Sequence, residues 1–142
     1  MAVTFELIPS RGLVYIRYSG FAGIDETLAA AQNFMHHPDF KPGLRHLFDV
    51  SHVTEVDQDF TKFFSLQAQL VDVYERVDGD QLIAFYAPGP EGQIMARMAQ
   101  KTWEPMPEMV IKTFENEADA LAFLGQPETS LRDLFESVEI DT

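Results

Sequence analysis

The stretch from Leu44 to Val77 constrains the fold more than any other part of the chain. It opens with LRHLFDV, which reads as a strand ending near Asp49. It continues through the acidic segment SHVTEVDQD, expected to be a loop, and closes with FTKFFSLQAQLVDVYERV. In that last run Phe60, Phe63, Phe64, Leu70, Val71, Tyr74 and Val77 recur at the spacing of a helical stripe. Leu66 and Val73 widen the stripe, and Gln67 is its one polar member. At 1.5 Å per residue such a helix reaches roughly 30 Å, enough to lie across a sheet.

The remaining segments fall into place around it. Val3, Phe5 and Leu7 alternate with polar residues, and LVYIRYSG places Val14, Ile16 and Tyr18 on one face and Leu13, Tyr15 and Arg17 on the other. The short turn between them, Pro9 to Gly12, makes the pair an antiparallel hairpin. Ile24, Leu28, Ala31 and Met35 predict a first helix with Asp25 and Glu26 in its opening turn, stopped by Pro38. QLIAFYA is apolar on both faces and reads as an interior parallel strand. A helix follows with Ile94, Met95, Met98, Ala99, Thr102 and Trp103 inward, then the strand MVIKTF. A short helix from Glu117 to Leu124, capped by Gly125, precedes one or two further helical turns between Ser130 and Val138. The order ββαβαβαβα predicts an α/β fold: a mixed five-stranded sheet with an N-terminal antiparallel hairpin and the remaining strands parallel, joined by right-handed crossovers. With 142 residues and no repeat or linker, residues 1–142 are expected to form one domain.

Composition narrows the function. The formal net charge is −13, so nucleic acid and anionic membranes are poor partners. From Glu115 onward eight carboxylates face the single Arg132, a pattern that reads as a solvated helical end and tail. Without cysteine there is no disulfide, thiolate nucleophile or cysteine zinc site. The N-terminus has no secretory pattern and no apolar run approaches spanning length, so a cytoplasmic location without membrane insertion is expected.

Three stretches carry a resemblance: GFAGIDETLAAAQ at the first helix, FKPGLRHLFDVSHV around the middle strand, and TFENEADALAFLG near the end. Together they resemble the SpoIIAA-like fold of STAS domains and many small bacterial proteins, over Val3 to Gly125. In phosphoregulated STAS domains the helix after the central strand begins with an Asp-Ser-Ser-Gly type of motif bearing the switch serine. The matching positions here are Asp57-Gln58-Asp59-Phe60, where no hydroxyl stands. Either aspartate suits a helix N-cap, which accounts for it without a phosphoserine-like role.

Several polar residues invite chemistry. Asp49, Ser51 and His52 hold the side chains of a catalytic triad, but neighbours on an extended strand point opposite ways, so Ser51 and His52 are not expected to hydrogen-bond. Ser51 and Thr54 are read as turn caps and Asp49 as a binder of backbone amides. They stand at the carboxyl end of a central strand, where open α/β sheets place ligands. His36 and His37 diverge by about 100° on a helix and suit its C-terminus better than a metal. Gly89-Pro90-Glu91-Gly92 is a weak phosphate-loop candidate, since Pro90 lacks the amide donor and Glu91 repels phosphate. No metal or cofactor is expected, and no catalytic residue is assigned.

The expected function is a non-enzymatic regulatory or protein-interaction module acting through the long helix and the Asp57–Asp59 segment, with an unidentified protein partner. The alternative is a binder of a small apolar or amphipathic, lipid-like ligand between helices, in a pocket lined by Phe64, Leu70, Met95, Met98 and Trp103, with Gln67 either orienting it or, the favoured reading, marking the wet margin of the stripe. An enzyme using Asp49 or the Glu55–Asp59 acids ranks third. An uncovered sheet edge leaves homodimerisation open.

Overall fold

The computed structural model describes residues 2–141, with the side chains of Phe60, Glu139, Ile140 and Asp141 outside the described set. In chain order the elements are β1 (Val3–Ile8), a 3-10 turn (Pro9–Arg11), β2 (Leu13–Ala22), α1 (Ile24–Met35), β3 (Arg45–Val56), α2 (Phe60–Tyr74), β4 (Gln81–Tyr86), α3 (Pro90–Thr102), β5 (Met109–Phe114), α4 (Glu117–Phe123) and α5 (Leu131–Asp141). The strands lie in the order β1-β2-β3-β4-β5. β1 pairs antiparallel with β2, and every later pair is parallel. The predicted mixed sheet is therefore the observed one, with the predicted helix order extended by α5.

That sequential order decides where the helices go. Each crossover steps to the next strand in one direction, so right-handed connections put α1, α2 and α3 on the same face. Their core holds Val14, Ile16, Tyr18, Val50, Ile83, Phe85, Met95 and Trp103. The opposite face carries Leu13, Leu47 and Ala84 and is left to α4 and α5, through Leu121, Leu124 and Leu134. α5 is longer than the turn or two expected from Ser130 to Val138, because Leu131, Leu134, Phe135 and Val138 close this second core.

Three helices share one face of a narrow sheet. Adjacent crossovers step by one strand spacing, about 4.8 Å, whereas packed helices need about 8–10 Å. α1 shifts outward over β1 and α3 packs on β3 and β5, while α2 is held chiefly by its two neighbouring helices. The middle helix rides high. Among its described side chains only Leu66 is fully buried, and Phe64 is 56% exposed.

Three boundaries differ from the sequence expectation. SHVTEV is strand rather than loop, because β2 runs on to Ala22 and pairs with it as far as Val56. α2 ends at Tyr74, where tighter bonds from Arg76 to Val73 and from Val77 to Tyr74 close the turn. Of the expected α1 stripe, Ile24 and Ala31 turn inward, joined by Thr27, Ala30 and Phe34. The Gly125 cap is as expected: at φ +77° it ends α4, with Gln126 N–H bonded to the Leu121 carbonyl and Gly125 N–H to that of Ala122.

Candidate functional site

Beneath α2 lies an apolar void of about 90 Å³. Its floor is the sheet, where Phe48 and Phe85 stack 4.8 Å apart and nearly parallel, beside Ile83 and Ile111. Ile24 and Thr27 of α1 form one wall, and Met95, Ala99 and Trp103 of α3 the other. Phe63, Leu66, Gln67, Leu70 and Tyr74 roof it. A second chamber of about 70 Å³ adjoins it toward α1 and shares Tyr18, Thr27, Phe48, Leu70 and Tyr74 with it.

The roof is tied down at its rim rather than packed at its centre. Asp59 caps α2 by accepting the Lys62 N–H at 3.1 Å, and Lys62 reaches Asp25 of α1 at 3.2 Å. Midway along, the Gln67 amide donates to the Thr102 carbonyl of α3 at 2.7 Å. Near the C-terminal end the Tyr74 hydroxyl meets His46 Nε2 at 3.1 Å, and the Tyr74 ring packs edge-on against Trp103. Asp57 lines the void and serves both helix starts: its Oδ1 accepts the Asp59 N–H at 3.1 Å and its Oδ2 lies 3.5 Å from the Ile24 N–H. Of the two aspartates that could cap the helix, Asp59 is the cap, and Asp57 braces the turn before it.

Of the buried polar side chains, Tyr18 and Tyr74 find partners, whereas His46 Nδ1 has no hydrogen-bond partner among the described residues. Tyr18 donates to Thr27 Oγ1 at 3.0 Å, and Thr27 in turn donates to the Gly23 carbonyl at 2.8 Å. Burial pushes the Tyr18 hydroxyl up to about 12 and the Tyr74 hydroxyl well above the ordinary phenol range. Burial also lowers His46 to about 4, partly offset by the backbone of Leu44 and Arg45.

A crystal structure of an uncharacterised DUF3478-family protein from Shewanella loihica PV-4, described as having a SpoIIAA-like fold, superposes with a TM-score of 0.54. The match has 16% sequence identity and covers 87% of this chain and 92% of the other. The fold is SpoIIAA-like. No protein-family model matches the chain, and no curated protein does either. Among the described residues, no helix is long and apolar enough to cross a membrane.

On this SpoIIAA-like frame the sequence-predicted pocket residues divide in two. Leu70, Gln67, Met95 and Trp103 line the void. Phe64 and Met98 do not: they line an outer groove of about 450 Å³ between α2 and α3, with Ile94, Arg97, Lys101 and Thr102. Phe63 and Phe64 are adjacent and point about 100° apart on a helix, so only one of them turns inward. Leu66, placed beside the stripe by periodicity, is the side chain that α2 buries.

Asp49, Ser51 and Thr54 are not part of the void. Asp49 faces the α4–α5 side, where Tyr15 donates to its Oδ2 at 2.5 Å and the Tyr15 ring packs on Phe135. Burial and the Asp49 hydrogen bond together raise the Tyr15 hydroxyl far above its usual range. The expectation that Ser51 and His52 cannot meet is wrong: Ser51 Oγ lies 3.0 Å from His52 Nδ1 and 2.5 Å from Asp49 Oδ1. The reason is a pair of irregularities in the β2–β3 register, which insert extra β3 residues and re-aim these side chains. The same fact moves Ser51 and Thr54 from turn caps into a strand. The order is Asp–Ser–His, with the hydroxyl in the middle. Its one proton turns to the nearer acceptor, Asp49, which also accepts the Ser51 N–H at 3.0 Å. A nucleophile needs its base beside it and oriented by a third group, an order this chain inverts.

Gly92 has a packing role. A Cβ there would stand 2.7 Å from Val50 Cγ2 and 2.8 Å from the Val50 carbonyl oxygen, so glycine lets α3 lie close on β3. His36 Nδ1 lies 2.7 Å from the Gln32 carbonyl at the end of α1, the position read for it. Among the ties the sequence reading missed, Arg11 in the hairpin turn forms a two-pronged pair with Glu128, at 2.8 and 3.0 Å, fastening the α4–α5 connection to the β1–β2 turn.

Proposed function

We propose that this SpoIIAA-like module is a non-enzymatic binder of a small apolar or amphipathic molecule, held between the sheet and α2. The observation that carries the reading is the void itself. Protein interiors are close-packed, and an apolar pocket of this kind leaves its lining without packing partners on one side, at a cost in lost contacts. A ligand that fills it recovers that cost, and apolar cavities of about 150 Å³ take up a molecule as large as benzene. A high-riding roof held by a few polar ties suits uptake between helices.

Native mass spectrometry of freshly purified protein, with thermal shifts across a panel of alkanols, tests the reading. Trp103, in the wall, supplies a fluorescence signal. A co-purified mass or a saturable rise in Tm is expected. Only the ligand-free mass, together with a flat Tm across the panel, would count against it.

Exposure of Phe64 favours a second reading, a protein-interaction module working through the outer face of α2. With Asp59 engaged as the cap and Asp57 in the turn before it, the contact surface shifts to Phe64. Capture of a stoichiometric partner that Phe64→Ser abolishes would support it, and capture unaffected by that change would sink it.

A further inference from the structure

We propose that the groove between α2 and α3 seats the carboxylate of a medium-chain amphipathic anion, with Arg97 and Lys101 holding the head and the void receiving the tail. The proposal deepens the binding reading above and rests on it.

Arg97 and Lys101 stand four residues apart on α3 and so share a face. Both are exposed, and neither is ion-paired among the described residues. In a chain with 23 acids and 10 bases, these two cations stand one helical turn apart on the rim of an apolar groove, where they give it local positive charge. Their neighbours are Phe64, Ile94 and Met98, which suit the first carbons of a chain and not a hydrated inorganic anion.

The groove and the void are separated by one layer of side chains. Thr102 lines the groove, Gln67 lines the void, and the two are joined by the 2.7 Å bond from the Gln67 amide to the Thr102 carbonyl. Met98 lines the groove beside Thr102, and its unbranched side chain re-packs readily. A tail passing there exchanges one surface-proximal hydrogen bond for burial of several methylenes. On the scale of the benzene-sized cavity, the chamber of about 90 Å³ takes roughly four carbons and its neighbour roughly three more. With the carbons that cross the groove, the matching ligand is a carboxylate of about eight to ten carbons.

Titration of the full chain with hexanoate, octanoate, decanoate and 1-octanol, followed by calorimetry and Trp103 fluorescence, separates head from tail. Each added methylene is expected to tighten binding about three- to fourfold until the void is full. Octanoate is expected to bind about tenfold more tightly than 1-octanol at low salt, an advantage that shrinks as salt screens the exposed cations. The double variant Arg97→Gln/Lys101→Gln should bring octanoate to the level of 1-octanol and leave 1-octanol unchanged. If octanoate gains nothing over 1-octanol, or its advantage survives in the double variant, the head assignment is overturned while the void reading stands. The groove would then belong to another occupant, such as an acidic helix of a partner protein. If neither ligand binds, both readings fall together.

Discussion

His46 Nε2 and the Tyr74 hydroxyl meet at 3.1 Å, joining the middle strand to the last turn of α2 through the protein interior. The imidazole is 4% exposed and ringed by Phe34, Phe48 and Tyr74, with no carboxylate among the described residues to share a proton. It is therefore built to be neutral, and one of the ties holding the roof depends on that neutrality.

Stability should consequently fall on mild acidification. His46 titrates near 6.5 when unfolded and near 4 when folded, so between those values the unfolded chain binds a proton that the folded chain refuses. The contribution is fully present above about pH 6.5, declines as pH falls toward 4 and loses nothing further below that. Its size is about 3 kcal/mol. Urea denaturation between pH 7 and 4 measures it, and the double variant His46→Phe/Tyr74→Phe should flatten this part of the slope. An unchanged slope in that variant would assign the acid sensitivity to other groups.

The start of α2 tests the capping roles. Asp59→Ala removes the acceptor for the Lys62 N–H and should cost about 1 kcal/mol, with Asp59→Asn nearly neutral. Asp57→Ala touches the starts of both α1 and α2 and should cost at least as much. Thermal melts decide this. A stabilised Asp59→Ala would mean the aspartate serves something other than the fold.

Gly92 offers a sharper test, because its neighbour is partly backbone. Gly92→Ala places a methyl group against Val50 Cγ2 and the Val50 carbonyl. Overpacking of this kind costs about 1–3 kcal/mol, and Val50→Ala should restore only part of it because the carbonyl remains. A variant as stable as the parent would show that α3 lifts freely from β3.

Much of this architecture was legible in the residues. Alternation marked β1 and β2, the two-faced apolar run marked β4 as interior, and Asp59 and Gly125 marked helix ends. Those signals are local, and each is set by a few neighbours along the chain. What escaped was non-local. Ser51 and His52 meet only because β3 pairs out of step with β2, and no property of the β3 residues alone announces that. Phe64 and Leu66 exchanged their expected roles because periodicity fixes a stripe to within about one residue, while the height of α2 is set by crowding from α1 and α3. The void has the same origin: side-chain volumes can be summed from a sequence, but the standoff of a helix cannot.

Filling the void should separate stability from binding. Ala99 is nearly buried on the inner face of α3 and borders the space beside Met95 and Trp103. Ala99→Leu adds three carbons, about what a chamber of this size accepts without displacing the sheet. If the space is empty, the variant should gain about 0.5–2 kcal/mol in denaturation, as cavity-filling changes commonly do, and lose response to 1-octanol. If α2 is already collapsed onto the sheet in solution, the same change overpacks the core and lowers Tm by several degrees. Opposite signs are expected from the two states, so a single melting curve with and without 1-octanol reads which one the protein occupies.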